Sequence, residues 1–205
     1  VYESGNGCTG SYNYPVTVIP SEVVSISGYA TYDNAYATSL NGITLTVHNS
    51  SNVLAGTVTT ANHPITGEPG YYAFTNLPND TYTLRGSYNG DWGGNNATDA
   101  LIVQLNIIGQ FPLTGLRSTV ADVNASTTIS ALDALFIKLR TIGSITSYPA
   151  GNWKISEKTV VVSGSPVTQD ITALCVGDVN GSFIPIGSKE ASMLSVIEDG
   201  VMTVG

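Results

Sequence analysis

Short runs of alternating apolar and polar residues fill most of the chain. Alternation with a period of two places successive side chains on opposite faces of a β-strand. Such runs predict strands at residues 24–31, 43–48, 54–59, 71–75 and 81–85, and again at 153–156, 159–163 and 167–174. Short strands at this spacing indicate an antiparallel β-sandwich. The later strands either extend this sandwich or pack on the segment between the two groups.

Two runs with helical spacing interrupt the strands. Residues 97–108 are apolar on nearly every side, and we expect this helix to be buried. In residues 131–142 the apolar positions 132, 135, 136 and 139 recur at i, i+3, i+4 and i+7, which predicts that this face points inward. Lys138 and Arg140 then lie on the outer side. The predicted fold is mainly β with a small α part.

The residues before the second helix place oxygen atoms at regular intervals. Counting Asp122 as position 1, oxygen-bearing side chains stand at positions 1, 3, 5, 9 and 12, and a backbone carbonyl stands at position 7. Ca²⁺ binds about six to eight oxygen atoms, and loops of the EF-hand type supply them from such positions. The predicted ligands are Asp122, Asn124, Ser126, the Thr128 carbonyl, Ser130 and Asp133.

The loop departs from the EF-hand pattern in two places. Position 6 carries Thr127 where glycine usually makes the sharp turn, and position 12 is Asp133 rather than the longer glutamate. Both changes lower the expected affinity for Ca²⁺. The alternative interpretation is an ordinary turn before a helix, with Ser130 as the N-cap and Asp133 as a partner of the helix dipole.

Parts of this loop and helix occur again in the chain. Asp-Ala-Leu at 133–135 repeats at 99–101, an offset of 133 − 99 = 34 residues. Two such loop–helix units in tandem, over residues 88–146, resemble a dockerin domain, a calcium-binding module that binds cohesins. The resemblance implies a first calcium loop as well, but Tyr88, Gly90 and Trp92 stand at its ligand positions. The ligands left to this first loop are Asp91, Asn96 and Asp99.

A third fragment repeats the beginning of the intact loop. Residues 178–182 read Asp-Val-Asn-Gly-Ser, against Asp-Val-Asn-Ala-Ser at 122–126, and no helix pattern follows them. We expect Asp178, Asn180 and Ser182 to fold back and complete the damaged first site.

The first group of strands also resembles a known family. Residues 70–84 read Gly-x-Tyr-x-Phe-x-x-Leu-Pro-x-x-x-Tyr-x-Leu, after the strand patterns at 27–31 and 42–47. These features resemble carboxypeptidase-regulatory-like and CnaB-type domains, which implies a prealbumin-like or Ig-like β-sandwich, usually a stalk or spacer on secreted and cell-surface proteins. With the helix pair and residues 148–153 and 174–182, the order looks like multidomain surface proteins exported by Bacteroidetes-type bacteria.

Composition narrows the class of partner. Charged residues make up 11% of the chain, the net charge is −8 and the isoelectric point is about 4.4. The seven Lys and Arg residues are scattered, so we expect neither nucleic acid nor an anionic membrane as a partner. No apolar run is long enough to span a bilayer. An acidic chain rich in Thr, Ser, Asn, Tyr and Gly is typical of an extracellular, secreted or cell-surface location.

The predicted organisation has five parts. They are an N-terminal segment or end of a preceding module at 1–21, a sandwich at 22–87, the helix pair at 88–146, returning strands and a loop at 147–182, and C-terminal strands at 183–205. The last strands either open a further domain or pair with another chain. Cys8 and Cys175 fit no metal or redox spacing, so we expect a disulfide in an oxidising compartment, with two buried thiols as the alternative.

Catalysis has little support in the sequence. The chain has two histidines, His48 and His63, no nucleophile-elbow motif and no zinc-ligand spacing, and we expect no enzyme. Sugar stacking is a second possibility, although aromatic residues in alternating strands more often fill a core; the candidates are Tyr71, Tyr72, Tyr88, Trp92 and Trp153. We expect a calcium-stabilised structural or adhesion module of a bacterial surface protein or fibre. The alternatives are docking to a cohesin-like protein partner and binding to a polysaccharide.

Overall fold

The computed structural model describes residues 24–185 of the chain. The N-terminal segment with Cys8 and the predicted C-terminal strands from residue 186 onward lie outside the described residues. The described part contains, in order, β1 (Val24–Tyr32), β2 (Thr44–His48), β3 (Leu54–Thr59), β4 (Tyr71–Leu77), β5 (Asp80–Ser87), α1 (Ala97–Ile107), α2 (Gly115–Ala121), α3 (Ala131–Thr141), β6 (Trp153–Ile155), β7 (Lys158–Val162), β8 (Val167–Thr168) and β9 (Ile171–Cys175).

The strands form the two sheets of a β-sandwich. One sheet has the order β4-β1-β9-β6, with β8 beside β1, and the other has the order β3-β2-β5-β7. The later strands therefore extend the same sandwich as the first five. The pairing is not antiparallel throughout, because β1 runs parallel to β8 and β9. Parallel neighbours need a long connection, and here β2 to β7 together with the three helices lie between β1 and β8 in the chain.

Alternation explains the sandwich core. β1 alternates between buried and half-buried residues along its whole length. The buried faces of the two sheets meet in one cluster that includes Ile26, Tyr32, Leu45, Tyr82, Leu84 and Ile171. A second cluster lies under the helices and includes Val103, Val123, Ala134, Ile137, Val176 and Val179. Residues directly after β9 thus belong to the core of the helical layer.

Helix α1 is not buried as the sequence pattern predicts. Leu101 is 52% exposed and Ile108, directly after the helix, is 67% exposed. The buried residues of α1 are Asp99, Ala100 and Val103. The helix packs against α3, and its apolar residues Leu101 and Ile107 remain at the surface.

The face predicted for α3 is only partly right, because Phe136 packs against the core under the helices but two of its other positions are exposed. Leu132 and Leu135 are 49% and 48% exposed, whereas Ala134 and Ile137 are buried. The buried face is fixed by Asp133, whose fully buried carboxylate accepts hydrogen bonds from the preceding loop. Lys138 is exposed as predicted. Arg140 is not, because its guanidinium lies 3.3 Å from the centre of the Trp92 ring.

Helix α2 lies between the two predicted helices and has no counterpart in the sequence prediction. It is only seven residues long, and it begins with a glycine. Val120 and Ala121, at its end, are buried and lead directly into Asp122. This short helix therefore places the first residue of the predicted calcium loop.

Candidate metal centres

The contiguous loop, residues 122–133, closes around its own polar side chains. The two carboxylate oxygens of Asp122 accept hydrogen bonds from the Ser126 N–H at 2.9 Å and the Thr127 N–H at 2.7 Å. The Ser126 N–H also donates to Asn124 Oδ1 at 2.9 Å. The Ser126 hydroxyl donates to the Thr128 carbonyl at 3.0 Å. Oxygens from positions 1, 3, 5 and 7 therefore lie in one tight turn.

Asp133 joins the end of this loop to its beginning. Its side chain is fully buried, and its Oδ1 accepts a hydrogen bond from the Asn124 N–H at 3.2 Å. Its Oδ2 accepts from the Ser130 N–H at 2.8 Å and from the Ser130 hydroxyl at 3.0 Å. Capping of α3 accounts for the contacts to Ser130 but not for the contact to Asn124. The carboxylate therefore faces the loop as well as the helix.

A second set of residues repeats these contacts from two distant segments. Asp178 accepts hydrogen bonds from the Ser182 N–H at 2.9 Å and the Phe183 N–H at 3.0 Å, as Asp122 does from its own loop. The Ser182 hydroxyl donates to the Gly94 carbonyl at 3.0 Å, as Ser126 does to Thr128. We call residues 94–99 and 178–183 together the discontinuous site.

Asp99 takes the place of Asp133 in the discontinuous site. Its Oδ1 accepts a hydrogen bond from the Asn180 N–H at 3.0 Å, and its Oδ2 accepts from the Asn96 N–H at 2.9 Å. The structure thus brings Asp178, Asn180 and Ser182 against Asn96 and Asp99. Asp91, the remaining candidate, is exposed and takes no part in these hydrogen bonds.

The carboxylates of the discontinuous site are buried without a basic partner. Asp99 and Asp178 are both 0% exposed. Burial raises the pKa of Asp99 to about 6, and the nearby Asp178 carboxylate acts in the same direction, while the N–H donors of Asn180 and Asn96 oppose the shift. Within residues 24–185 the ion pairs are Arg85 with Glu157 and Arg117 with Asp33, so neither acid of the site is neutralised by a protein cation there.

Two further oxygen atoms belong to residues of this site. The side-chain oxygen of Asn180 is buried and has no hydrogen-bond partner. The carbonyl of Gly94 supplies the backbone oxygen, and Gly94 has φ +85°. A Cβ atom at this position would overlap the Asp178 carboxylate, so only glycine lets the two segments come this close.

The donor atoms suit Ca²⁺ better than a softer metal. In the part of the chain that the structure describes, no three His, Cys, Asp or Glu side chains gather as a metal site. Each centre instead combines two carboxylates with amide, hydroxyl and carbonyl oxygens. Hard cations with many oxygen ligands are bound by sets of this kind.

Sequence reasoning did not identify Gly94, Tyr32 or Arg117 as parts of the second centre. The offset of 34 residues that relates Asp99 to Asp133 also relates Gly94 to Thr128, so the carbonyl of Gly94 could have been found from the repeat. Tyr32 donates a hydrogen bond to Asp178, and Arg117 donates to the Val179 carbonyl at 2.8 Å. Nothing local in the sequence connects these two residues with the site.

The remaining predicted residues have structural surroundings. Tyr72 is buried, Trp92 packs against Arg140, and Trp153 donates a hydrogen bond to the Gly90 carbonyl at 3.0 Å. His63 stacks edge-on against Tyr71 at 4.3 Å. Tyr72 is thus buried, whereas Tyr71, Tyr88, Trp92 and Trp153 are half-buried, and sugar binding stays a prediction.

Cys175 is buried, and its thiol is free in the described part of the chain. Burial raises the pKa of this thiol to about 12. Cys8 lies outside the described residues, so its pairing with Cys175 stays a prediction that mass spectrometry of the unreduced protein tests.

Comparison with known proteins gives no family. No family model matches the chain, and no curated protein matches it. One similar solved structure is the C-terminal fragment of the pilus adhesin SpaC from Lactobacillus rhamnosus GG, at 12% identity and a TM-score of 0.32. The match covers 82% of this chain and 48% of that fragment, so the chain spans less than two thirds of its length. Of the helices between residues 24 and 185, none is long and apolar enough to cross a membrane.

Proposed function

We propose that the chain is a calcium-stabilised structural module of an extracellular surface protein or fibre. The observation that supports this most directly is the pair of buried carboxylates, Asp99 and Asp178, which no basic side chain of residues 24–185 neutralises. Leaving like charges buried and unpaired costs several kcal/mol. A divalent cation bound by the two acids removes this cost.

The same donor set occurs at both centres. At the contiguous loop the ligands are the side chains of Asp122, Asn124, Ser126 and Asp133 and the Thr128 carbonyl. At the discontinuous site they are the side chains of Asp178, Asn180, Ser182 and Asp99 and the Gly94 carbonyl. Each set carries a formal charge of −2 against the +2 of the ion. We expect affinities in the micromolar to millimolar range that is typical of extracellular modules, for which extracellular Ca²⁺ suffices.

A role as a structural module follows from where the centres lie. The discontinuous site fastens the segment before α1 to the loop after β9, so that an ion there holds the helical layer on the sandwich. The contiguous loop fixes the entry of α3. The acidic composition with few charged residues suits an extracellular location, where Ca²⁺ is abundant.

Thermal unfolding of the whole chain tests the proposal. At about one hundred times its dissociation constant an ion stabilises the folded state by about 2.7 kcal/mol. For a chain of this size, we expect Ca²⁺ to raise the melting temperature by about 5–10 °C relative to EDTA. Asp99→Asn should lose much of this shift. Asp91→Asn removes one exposed carboxylate outside both centres and should keep it. Equal melting in Ca²⁺ and EDTA would reject the proposal.

A second candidate function, docking to a cohesin-like protein, has one specific observation in its favour. α1 and α3 expose large apolar residues at related positions, Leu101 with Leu135 and Ile108 with Ile142, the last 74% exposed. Exposed apolar side chains that repeat on two neighbouring helices suit a protein interface. In a binding assay against a panel of purified cohesins, Leu101→Asp with Leu135→Asp should abolish binding without lowering the melting temperature. Absence of binding by the wild type to every cohesin would remove this candidate.

A further inference from the structure

Asp178 differs from its counterpart Asp122 in the side-chain hydroxyls that reach it, one of which, from Ser182 at 3.3 Å, belongs to its own loop. Both carboxylates accept two backbone N–H groups from their own loops. Asp178 also accepts a hydrogen bond from the Tyr32 hydroxyl at 2.5 Å. Tyr32 is the last residue of β1, is fully buried, and accepts a hydrogen bond from the Cys175 N–H at 3.1 Å. A side chain of the sandwich core thus fixes the first carboxylate of the discontinuous site.

The surrounding contacts hold the loop at 178–183 to the same end of β1. Arg117 donates hydrogen bonds to the carbonyls of Val179 and Asp33 at 2.8 and 2.9 Å. The side chain of Asn34 donates to the Phe183 carbonyl at 3.0 Å. The ring of Tyr32 packs edge-on against that of Phe183 at 5.7 Å. The position of the loop therefore depends on β1 and not only on its own turns.

We propose that Tyr32 is a positioning residue that presets the Asp178 carboxylate for Ca²⁺, an inference that rests on the function proposed above. A hydrogen bond from a rigid core side chain fixes the orientation of the carboxylate before the ion arrives. Hydrogen-bond partners that orient a metal ligand typically raise the affinity for the metal about 10- to 100-fold. Because the contact is reciprocal, an ion at the discontinuous site also favours the ordered junction between β1 and β9.

Other buried tyrosines show that this contact is not a general feature of the core. Tyr82 is 2% exposed, and its hydroxyl donates to the Pro78 carbonyl at 2.9 Å. The hydroxyl of Tyr72 donates to the Gln169 carbonyl. Both bonds satisfy a buried hydroxyl with a backbone acceptor. Tyr82→Phe is therefore a matched control that removes a core hydroxyl without touching a candidate ligand.

Calcium titration calorimetry in two backgrounds tests the proposal. Asp122→Asn leaves the discontinuous site, and Asp178→Asn leaves the contiguous loop. Tyr32→Phe should weaken Ca²⁺ binding at least tenfold in the Asp122→Asn background and leave the affinity unchanged in the Asp178→Asn background. Tyr82→Phe should leave the affinity unchanged in both backgrounds. An affinity within twofold of the parent after Tyr32→Phe, or an equal loss after Tyr82→Phe, would overturn the inference. If the wild type binds no Ca²⁺, the proposed function fails as well.

Hydrogen exchange provides a measurement that needs no change at Tyr32. The Cys175 N–H donates to the Tyr32 hydroxyl, so its exchange reports the order of this junction. In the Asp122→Asn background, Ca²⁺ should slow its exchange about tenfold or more, following the stabilisation by bound ion. In the Asp178→Asn background the rate should stay the same. Unchanged exchange while the discontinuous site fills would overturn the inference.

Discussion

Thr127 holds a backbone conformation that β-branched residues rarely adopt. Its φ is +72°, at the loop position where EF-hand loops usually carry glycine. The neighbouring Ala125 also has a positive φ, of +57°. The residue of the discontinuous site that corresponds to Ala125 is Gly181, with φ +67°. The turn that the missing glycine would have made is therefore present, with strain at Thr127.

Relief of this strain gives a prediction about stability. Thr127→Gly should stabilise the calcium-free protein by about 1 kcal/mol, because glycine adopts a positive φ without steric cost. Thr127→Ala keeps a Cβ atom and should gain less. Urea unfolding in EDTA measures both differences. A destabilised glycine variant would show that the Thr127 side chain contributes more than its backbone strain costs.

Asp99 makes the calcium-free protein sensitive to pH. Its pKa in the folded protein is raised from 3.8 to about 6, so the folded state holds the proton more tightly than the unfolded state does. The resulting stability is fully present below about pH 4 and is lost as the pH rises through about 6. The loss is on the order of 3 kcal/mol, because each tenfold difference in proton affinity between the two states corresponds to about 1.4 kcal/mol.

Denaturant unfolding between pH 4 and 7 in EDTA tests this assignment. The wild type should lose stability across this range more steeply than Asp99→Asn, whose amide does not titrate. With Ca²⁺ present the sign reverses, because the ion binds the ionised carboxylate, and the gain in melting temperature should be larger at pH 7 than at pH 5. Parallel profiles for the two proteins in EDTA would contradict the account.

At the scale of elements, α1 and α3 each bury the face that carries their first-turn aspartate. Asp99 and Ala100 in one helix correspond to Asp133 and Ala134 in the other, and all four are buried. Orientation of these helices is set by the loop contacts of the carboxylates. Several large apolar residues of the two helices, among them Leu101, Leu132 and Leu135, lie at the surface instead.

This orientation predicts losses of stability of very different size from two similar substitutions in α3. Ile137→Ala should destabilise the protein by about 2–5 kcal/mol, because Ile137 is 0% exposed and truncation leaves a cavity. Leu135→Ala removes a side chain that is 48% exposed and should cost less than about 1 kcal/mol. Urea unfolding in Ca²⁺ compares the two. A larger loss at Leu135 would show that the helix buries the face predicted from its periodicity.

The strands could be predicted from the sequence far better than the helix faces. Alternation is a local property, and it placed β1, β2, β4 and β5 closely because each of these strands buries one face. The helix faces were predicted only in part, because periodicity cannot tell an inner apolar stripe from an exposed one. The pairing of β1 with β9 and the contact of Tyr32 with Asp178 join residues far apart in the chain, and no local pattern carries them.

At the scale of the whole molecule, the sandwich and the helical layer are joined through β9 and the loop that follows it. Cys175 belongs to the sandwich core, whereas Val176 and Val179 belong to the core under the helices. Asp178 lies between them, and its carboxylate lies against Gly94, just before α1. The Asn180 N–H of the same loop donates to Asp99 in the first turn of α1. The repeated loop sequence, at 122–126 and 178–182, thus supplies residues to both candidate metal centres.

Counting the bound ions tests the central claim most directly. Calcium titration calorimetry on the whole wild-type chain at pH 7 should show two Ca²⁺ ions per chain, with dissociation constants in the micromolar to millimolar range. Asp133→Ala and Asp99→Ala should each reduce the count to one, and Asp91→Ala should leave it at two. No binding heat from the wild type, together with identical melting in Ca²⁺ and EDTA, would contradict the account and reduce both loops to capped turns.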